Sequence, residues 1–376
     1  MAIGIICEYN PFHNGHLYHL NKIKEMYNEE IILVMSGNYT QRGDISIIEK
    51  YDKARIALEY GVDLVVELPF SFVTQSADIF AKGAISILNH LKCDKLIFGS
   101  ESNDISLLSN LAKIQLENND YDEEVKKELE KGINYPTAMS NALKTISEDT
   151  INTPNDLLGL SYIKEIIKNN YNITPISIKR TNDYHQLEIT NEITSATSIR
   201  NALKNEKDIS AYIPQKVMSY ITVQNLDKKY FELLKYKILS DKTNLCKYQT
   251  IDEGIENRII KMINNVNDIN ELIQCVKSKR YTYSKVKRML LHIFCSFTKE
   301  ERQKYESVKY IKVLGFNQKG QAYINKIKKK LDILLITNIT KDNIELQELE
   351  LRCDQIYNVL TNKNDNLYSK KPILKP

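Results

Sequence analysis

Apolar runs alternate with amphipathic stretches through the first half of the chain. Ala2-Ile3-Gly4-Ile5-Ile6, Ile31 to Met35, Asp63 to Glu67, Lys95 to Phe98 and Ile173 to Ile178 each read as a buried strand. Between them lie helical patterns. Leu17, Leu20, Ile23 and Tyr27 share one face, and further helices are expected over 47–59, 77–91 and the segment carrying Leu158, Tyr162, Ile163, Ile166 and Ile167. Residues 117–131 are acidic and polar, as in a surface helix. Five strands alternating with helices predict an α/β fold, a doubly wound five-stranded parallel sheet. Right-handed crossovers then collect the strand-end loops on one rim.

From about residue 201 strand signals fade and helical periodicity dominates. We therefore expect a first domain over 1–205, a mostly helical domain over 206–365 and a loose tail over 366–376. Within the second part, 313–320 reads as a glycine-bounded loop and Leu331 to Ile336 as a short strand. The helix through Val286, Leu290, Ile293, Phe294 and Phe297 is expected to pack by its apolar face and show a basic end to solvent.

The candidate chemistry sits at the first strand-to-helix junction, Glu8-Tyr9-Asn10-Pro11-Phe12-His13-Asn14-Gly15-His16. A helix N-terminus there offers unpaired N–H groups and partial positive charge, and Gly15 allows a ligand close to the backbone. His13 and His16 both point at a phosphate from such a place. Chance spacing and metal binding are the alternatives, and two imidazoles alone lack the further ligands that zinc takes. The same rim collects Arg42, from a long loop after the second strand, with Gly99 and Arg180. Beyond Tyr184-His185, the stretch Ser195-Ala196-Thr197-Ser198-Ile199-Arg200 reads either as a simple cap or as a second phosphate grip of hydroxyls, N–H groups and a guanidinium.

Composition changes this picture in one respect. The 376 residues are 42% hydrophobic and 27% charged, as in a soluble globular protein, and no apolar stretch approaches the ~18 residues of a membrane span. No secretory leader is expected, since Glu8 breaks the first apolar run early, and six cysteines without Cys-x-x-Cys spacing suit reduced thiols in the cytoplasm. The net charge of +4 is unevenly placed. Residues 1–150 hold 14 Lys/Arg against 23 Asp/Glu, and the remainder 38 against 25. One basic run without an acid is 277–288, where Lys277, Lys279, Arg280, Lys285, Lys287 and Arg288 surround Tyr281 and Tyr283, and 326–330 is another basic cluster. Basic residues interleaved with tyrosines suit RNA, and a solvated lysine-rich surface is the alternative.

Asn10 to His16 resembles the signature of the nucleotidyltransferase superfamily that includes class I aminoacyl-tRNA synthetases and pantetheine-phosphate adenylyltransferase, and Ser195 to Arg200 is similar to its second motif. With Ser36 to Gly43, Glu67-Leu68-Pro69, Phe98 to Glu101 and Arg280 to Ser284, the chain resembles the bacterial tRNA(Met) cytidine acetate ligase family. Ala196 stands where relatives often have Ser. The resemblance implies a nucleotidyltransferase-like fold and an enzyme that uses ATP with Mg²⁺, but no acetyl-coenzyme A. It would make acetyl-adenylate from acetate and transfer the acetyl group to the wobble cytidine of elongator tRNA(Met).

His13 and His16 would be catalytic. ATP contacts would come from Cys7, Glu8, Tyr9, Asn10, Pro11, Phe12, Asn14, Gly15 and Leu20 around them. Gly99, Asn155, Arg180, Ser195, Thr197, Ser198 and Arg200 would add to these. The basic run would bind tRNA, and no protein metal cage is expected. A small-molecule adenylyltransferase and a non-catalytic tRNA-binding protein with a retained nucleotide pocket are the competing functions. The sequence carries no signal for oligomeric state.

Overall fold

The computed structural model describes residues 1–147, 149–180, 194–221 and 226–375; Tyr184 and His185 lie outside them. The five apolar runs form β1 (Ala2–Cys7), β2 (Glu30–Ser36), β3 (Leu64–Leu68), β4 (Lys95–Ser100) and β5 (Thr174–Lys179). They pair in parallel in the order β5-β4-β1-β2-β3. Strand periodicity sends alternate side chains to opposite cores. Ile32 and Val34 of β2 pack with Phe80, Leu88 and Leu160 on one face. Ile31, Leu33 and Met35 pack on the other with Ile23 of α1 (Asn14–Met26) and Ala54 and Ala57 of α2 (Lys50–Glu59). A parallel sheet covered on both faces explains why its strands read as continuous apolar runs.

The strand order reverses beside β1. From β1 the chain steps to β2 and β3 on one side, and later to β4 and β5 on the other. The crevice outside the carboxyl ends of β1 and β4 is therefore the switch point at which such sheets take ligands.

The sheet is larger than five strands: among the described residues it has eight. β6 (Tyr310–Phe316) runs antiparallel to β3, and β7 (Leu334–Ile336) and β8 (Ile373–Leu374) pair in parallel with β6. The stretch expected as a loop from Val313 is thus largely strand, with Val313 buried on one face and Leu314 on the other. The expected loose tail is also corrected. Ile373 and Leu374 lie beside Gly315 and Phe316, and Lys375 donates through Nζ to the Leu58 carbonyl at 3.0 Å. A boundary at 205/206 therefore does not bound the sheet.

The helices Leu226–Ser240, Ile269–Val276, Tyr283–Phe294 and Glu348–Thr361 share a core that includes Leu234, Leu272, Leu290 and Tyr357, and that core also takes Tyr39 and Phe70 from the first half. The Tyr39 hydroxyl donates to the Cys353 carbonyl and the Tyr357 hydroxyl to the Ser46 carbonyl, both at 2.9 Å.

The helix Gln318–Ile327 returns across β3, where a Cβ added to Gly320 would sit 2.0 Å from the Asp63 carbonyl oxygen. Backbone cannot yield there as a side-chain tip could. Gly320→Ala is expected to destabilise the fold by about 1–3 kcal/mol, read as a lower denaturant midpoint. An unchanged midpoint would show that β6 and its helix do not rest on the sheet.

Candidate active site

β1 ends at Cys7, and the chain turns through Tyr9 to Phe12 before α1 begins. His13 is the N-cap, with an extended backbone (φ −140°, ψ 173°). Its Nδ1 accepts the Gly15 N–H at 3.0 Å, and the Nδ1 of His16 accepts the His13 N–H at 3.3 Å. Two imidazoles thus build the reciprocal cap that Ser or Thr and Glu usually build. A neutral ring that accepts at Nδ1 carries its proton at Nε2. The rings lie 3.8 Å apart between centroids and both line the same cavity. Burial lowers the His13 pKa to about 3, helped by Arg180 and Arg200. Burial, with His13 and Arg180 next, drives His16 well below its usual value. At neutral pH the pair is uncharged.

The cavity measures about 850 Å³. Its lining brings together Cys7, Glu8, Tyr9, Asn10, His13, Gly15, His16, Gly99, Asn155, Arg180, Ser195, Thr197 and Arg200. Five expected members lie elsewhere. Pro11 is buried beside the cap, and Phe12 and Leu20 are apolar core, Phe12 stacking on Tyr60 at 5.0 Å. Asn14 ties α1 to the Ala211 carbonyl through Nδ2 at 2.9 Å. Ser198 is buried, and its N–H donates to the cap hydroxyl of Ser195 at 3.1 Å.

Each remaining side chain is positioned by its element. Gly99 leaves room for Arg180: a Cβ there would stand 3.2 Å from Arg180 Cγ. The Arg180 Nε is buried without a hydrogen-bond partner in the protein. Asn155 donates to Glu101 at 2.5 Å, and Asp156 beside it fastens the loop after β4 by accepting from Ser100, Ser102 and Thr153. Ser195 caps the helix Ala196–Lys204. Arg200 donates to the Asn10 carbonyl at 2.6 Å and to Asp44 at 3.2 Å. Burial pushes Asp44 upward, but Lys287, Arg200 and Arg42 outweigh it and hold the carboxyl at about 2.

The basic run does not simply face solvent. Lys277, Lys279 and Arg280 are exposed. Lys285, Lys287 and Arg288 are half-buried, because the helix Tyr283–Phe294 packs its first turns against the 41–44 loop. Lys287 pairs with Asp44, and Arg288 donates to the Gln41 carbonyl at 3.2 Å. Arg280, Lys285 and Arg288 line the cavity; Lys277, Lys279 and Lys287 do not.

Sequence reasoning missed Lys53. It is fully buried, and its ammonium donates to the carbonyls of Glu8 at 3.0 Å, Ser36 at 2.8 Å and Gly37 at 2.6 Å. Burial lowers its pKa to about 8. The available signal was its place on the apolar face of α2 beside Ala54 and Ala57. Asp44, the hub for Arg200 and Lys287, was also missed.

The HIGH Nucleotidyl Transferase family model matches residues 1–371. The tRNA(Met) cytidine acetate ligase of Geobacillus sp. (strain WCH70) is 39% identical over 92% of each chain. That of Mycoplasma mobile is 44% identical, over 80% of this chain and 100% of its own. The chain belongs to the tRNA(Met) cytidine acetate ligase family. Among solved structures, Thermotoga maritima TmcAL in its apo form I superposes with a TM-score of 0.90 at 30% identity over 99% of each chain. The same protein bound with alpha-thio ATP gives 0.88. The chain is thus an enzyme of this ligase family, with the nucleotide-binding α/β architecture expected of it.

The neutral imidazoles give stability a pH dependence. In the unfolded chain a histidine titrates near 6.5, whereas folded His13 titrates at about 3. The unfolded state therefore binds the proton first. This contribution is complete above pH 6.5 and is lost as pH falls toward 3. Glu49, raised to about 7 mainly by burial, acts in the opposite sense. A difference between variants isolates the histidine. His13→Asn keeps a good N-cap. Its denaturant midpoint is expected to fall less steeply than that of the native enzyme between pH 6.5 and 4. Equal slopes would mean that the ring is not held neutral.

Proposed function

We propose that the enzyme joins acetate to ATP as acetyl-adenylate, releasing pyrophosphate. It then passes the acetyl group to the exocyclic amine of the wobble cytidine of elongator tRNA(Met). The observation that carries this reading is the capped imidazole pair, whose Nε2–H groups are uncharged donors on the wall of a cavity rimmed by Arg180 and Arg200. The alpha-thio ATP bound by the Thermotoga relative supports it.

In the first step a carboxylate oxygen of acetate attacks the α-phosphorus and pyrophosphate leaves. Such a reaction needs positioning and charge stabilisation more than covalent help from the protein. His13 and His16 would donate to the α- and β-phosphate oxygens as charge moves toward the leaving group. Ser195, Thr197 and Arg200 would hold the outer phosphates. Gly99 would lie by the adenosine, with Asn155 and Arg180 beside it. In the second step the cytidine amine attacks the acyl carbon, AMP leaves with the bonding pair, and the amine loses a proton. Acetyl-coenzyme A has no part, and these substrates place the work in the cytoplasm.

Among the described residues no group of three or more His, Cys, Asp or Glu is arranged to hold a metal. Mg²⁺ would arrive on the triphosphate with water as its other ligands.

Incubation with ATP, labelled acetate and tRNA tests the reading. Label is expected in tRNA(Met) together with pyrophosphate and AMP. AMP transferred into a stable small dinucleotide, with no acetate label in RNA, would favour a small-molecule adenylyltransferase. Label nowhere, with ATP still bound, would favour a non-catalytic RNA-binding protein. Either result overturns the proposal.

The basic helix is wired to the phosphate corner through Lys287, Asp44 and Arg200. Lys287→Glu is therefore expected to lower both acetate-dependent ATP–pyrophosphate exchange and tRNA acetylation, each about tenfold or more, since it leaves Asp44 facing a like charge. Loss confined to the RNA step would show that this chain of ion pairs transmits nothing.

A further inference from the structure

The cavity has a second lobe that the nucleotide chemistry above does not use. The helices Tyr135–Ile146 and Pro154–Lys168 and the start of Ala77–His90 supply its lining. Its apolar side chains include Ile79, Pro136, Met139 and Leu158, while Asp78 is already paired with Ser161 at 3.3 Å and Lys164 at 2.6 Å. The whole cavity, about 850 Å³, lies near the top of the roughly 300–1,000 Å³ range of small-molecule pockets.

Two side chains mark this lobe as a built site. Gln75 is 2% exposed and lines the cavity, yet its Nε2 has no hydrogen-bond partner in the protein. A buried amide left unpaired is costly, and a ligand edge would satisfy it. Its backbone carbonyl accepts from Gln41 Nε2 at 2.9 Å, and the Gln41 N–H donates to the Glu8 carboxylate at 2.6 Å. The orphan amide thus lies at the junction with the phosphate corner. Tyr135 is the second mark. It lines the cavity and is 49% exposed, which puts an aromatic ring at the mouth.

The mouth adjoins the basic segment. Asn134 donates through Nδ2 to the Lys279 carbonyl at 3.3 Å, and Arg280 and Lys285 line the same opening. We propose that this lobe receives one unpaired pyrimidine base of an RNA strand, with Tyr135 stacking at the entrance and the Gln75 amide pairing with the base edge. A base has two apolar faces and one polar rim, and the lobe offers apolar side chains beside an orphan amide. The adjacent carbonyl and amine of Gln75 match the neighbouring donor and acceptor on a cytosine edge. The cationic rim would hold the flanking phosphates, as in other single-strand sites.

This inference rests on the reaction proposed above, and the test separates the two. The variants are Tyr135→Ala, Tyr135→Phe and Gln75→Leu. All three are expected to keep acetate-dependent ATP–pyrophosphate exchange within about twofold. Tyr135→Ala and Gln75→Leu are expected to lose about tenfold or more in kcat/KM for tRNA acetylation, with Tyr135→Phe near native. Gln75→Leu should not lower the unfolding midpoint, since the amide it removes is unpaired. Native acetylation by Tyr135→Ala or Gln75→Leu, or an equal fall in exchange, overturns the inference. If the native enzyme acetylates no tRNA, the reaction fails by itself. Binding of a fluorescein-labelled anticodon stem–loop with an unpaired cytidine then decides: about tenfold weaker binding to Tyr135→Ala upholds the base lobe, and equal binding overturns it.

Discussion

The corner that carries the histidine pair depends on one buried ammonium. Lys53 lies in the protein interior and is tolerated there because three main-chain carbonyls surround it. Those carbonyls belong to Glu8, just beyond β1, and to Ser36 and Gly37 at the end of β2. The loops bearing His13 and Arg42 thus leave the sheet from one pinned point. Beneath it Lys50 pairs with Glu67 at 2.8 Å and Asp354 at 2.5 Å, while Asn38 donates to Asp354 at 2.9 Å. A Cβ on Gly37 would stand 2.4 Å from the Glu67 carboxylate, so the glycine is what lets this ionic layer close. Deleting one member of such a layer leaves a buried charge without compensation, a larger penalty than the pair itself is worth.

That rigid base explains why imidazoles serve where lysines often do. A charged ring at His13 or His16 would be buried beside Arg180 and Arg200, and burial alone already favours the neutral form. The rings instead spend Nδ1 on the helix cap and keep Nε2–H as a donor of fixed direction. Neutral donors hold a polyphosphate less tightly than ammonium groups do. In the proposed reaction they would order the substrate without trapping the pyrophosphate that leaves.

Much of this was legible in the chain. The five parallel strands were visible because burial on both faces makes them continuously apolar. The histidine pair was visible because a strand, a glycine and a helix frame it. β6 was not, because Lys312 interrupts it and Gly315 suggests a turn. In the fold Lys312 is buried beside the Glu67 layer, and Gly315 lies against Leu58 and Ile373. The inward turn of Lys53, Lys287 and Arg288 was overlooked for a related reason. A lysine or arginine is read as solvated by default, and only long-range partners, here main-chain carbonyls and Asp44, show that it has turned inward. Leu20 and Phe12 erred the other way, since a place inside a ligand motif does not exempt an apolar side chain from the core.

The late strand β6 has a consequence for synthesis. The outer edge of β3 is covered by residues 310–316, which emerge long after the five parallel strands are complete. At ordinary translation rates that edge stays bare for roughly 10 to 50 s. Its residues, Leu64-Val65-Val66-Glu67-Leu68, form a short hydrophobic template for pairing with another nascent chain. Glu67 is the one charge that interrupts it, so the carboxylate that later neutralises Lys50 also guards the unfinished protein against aggregation.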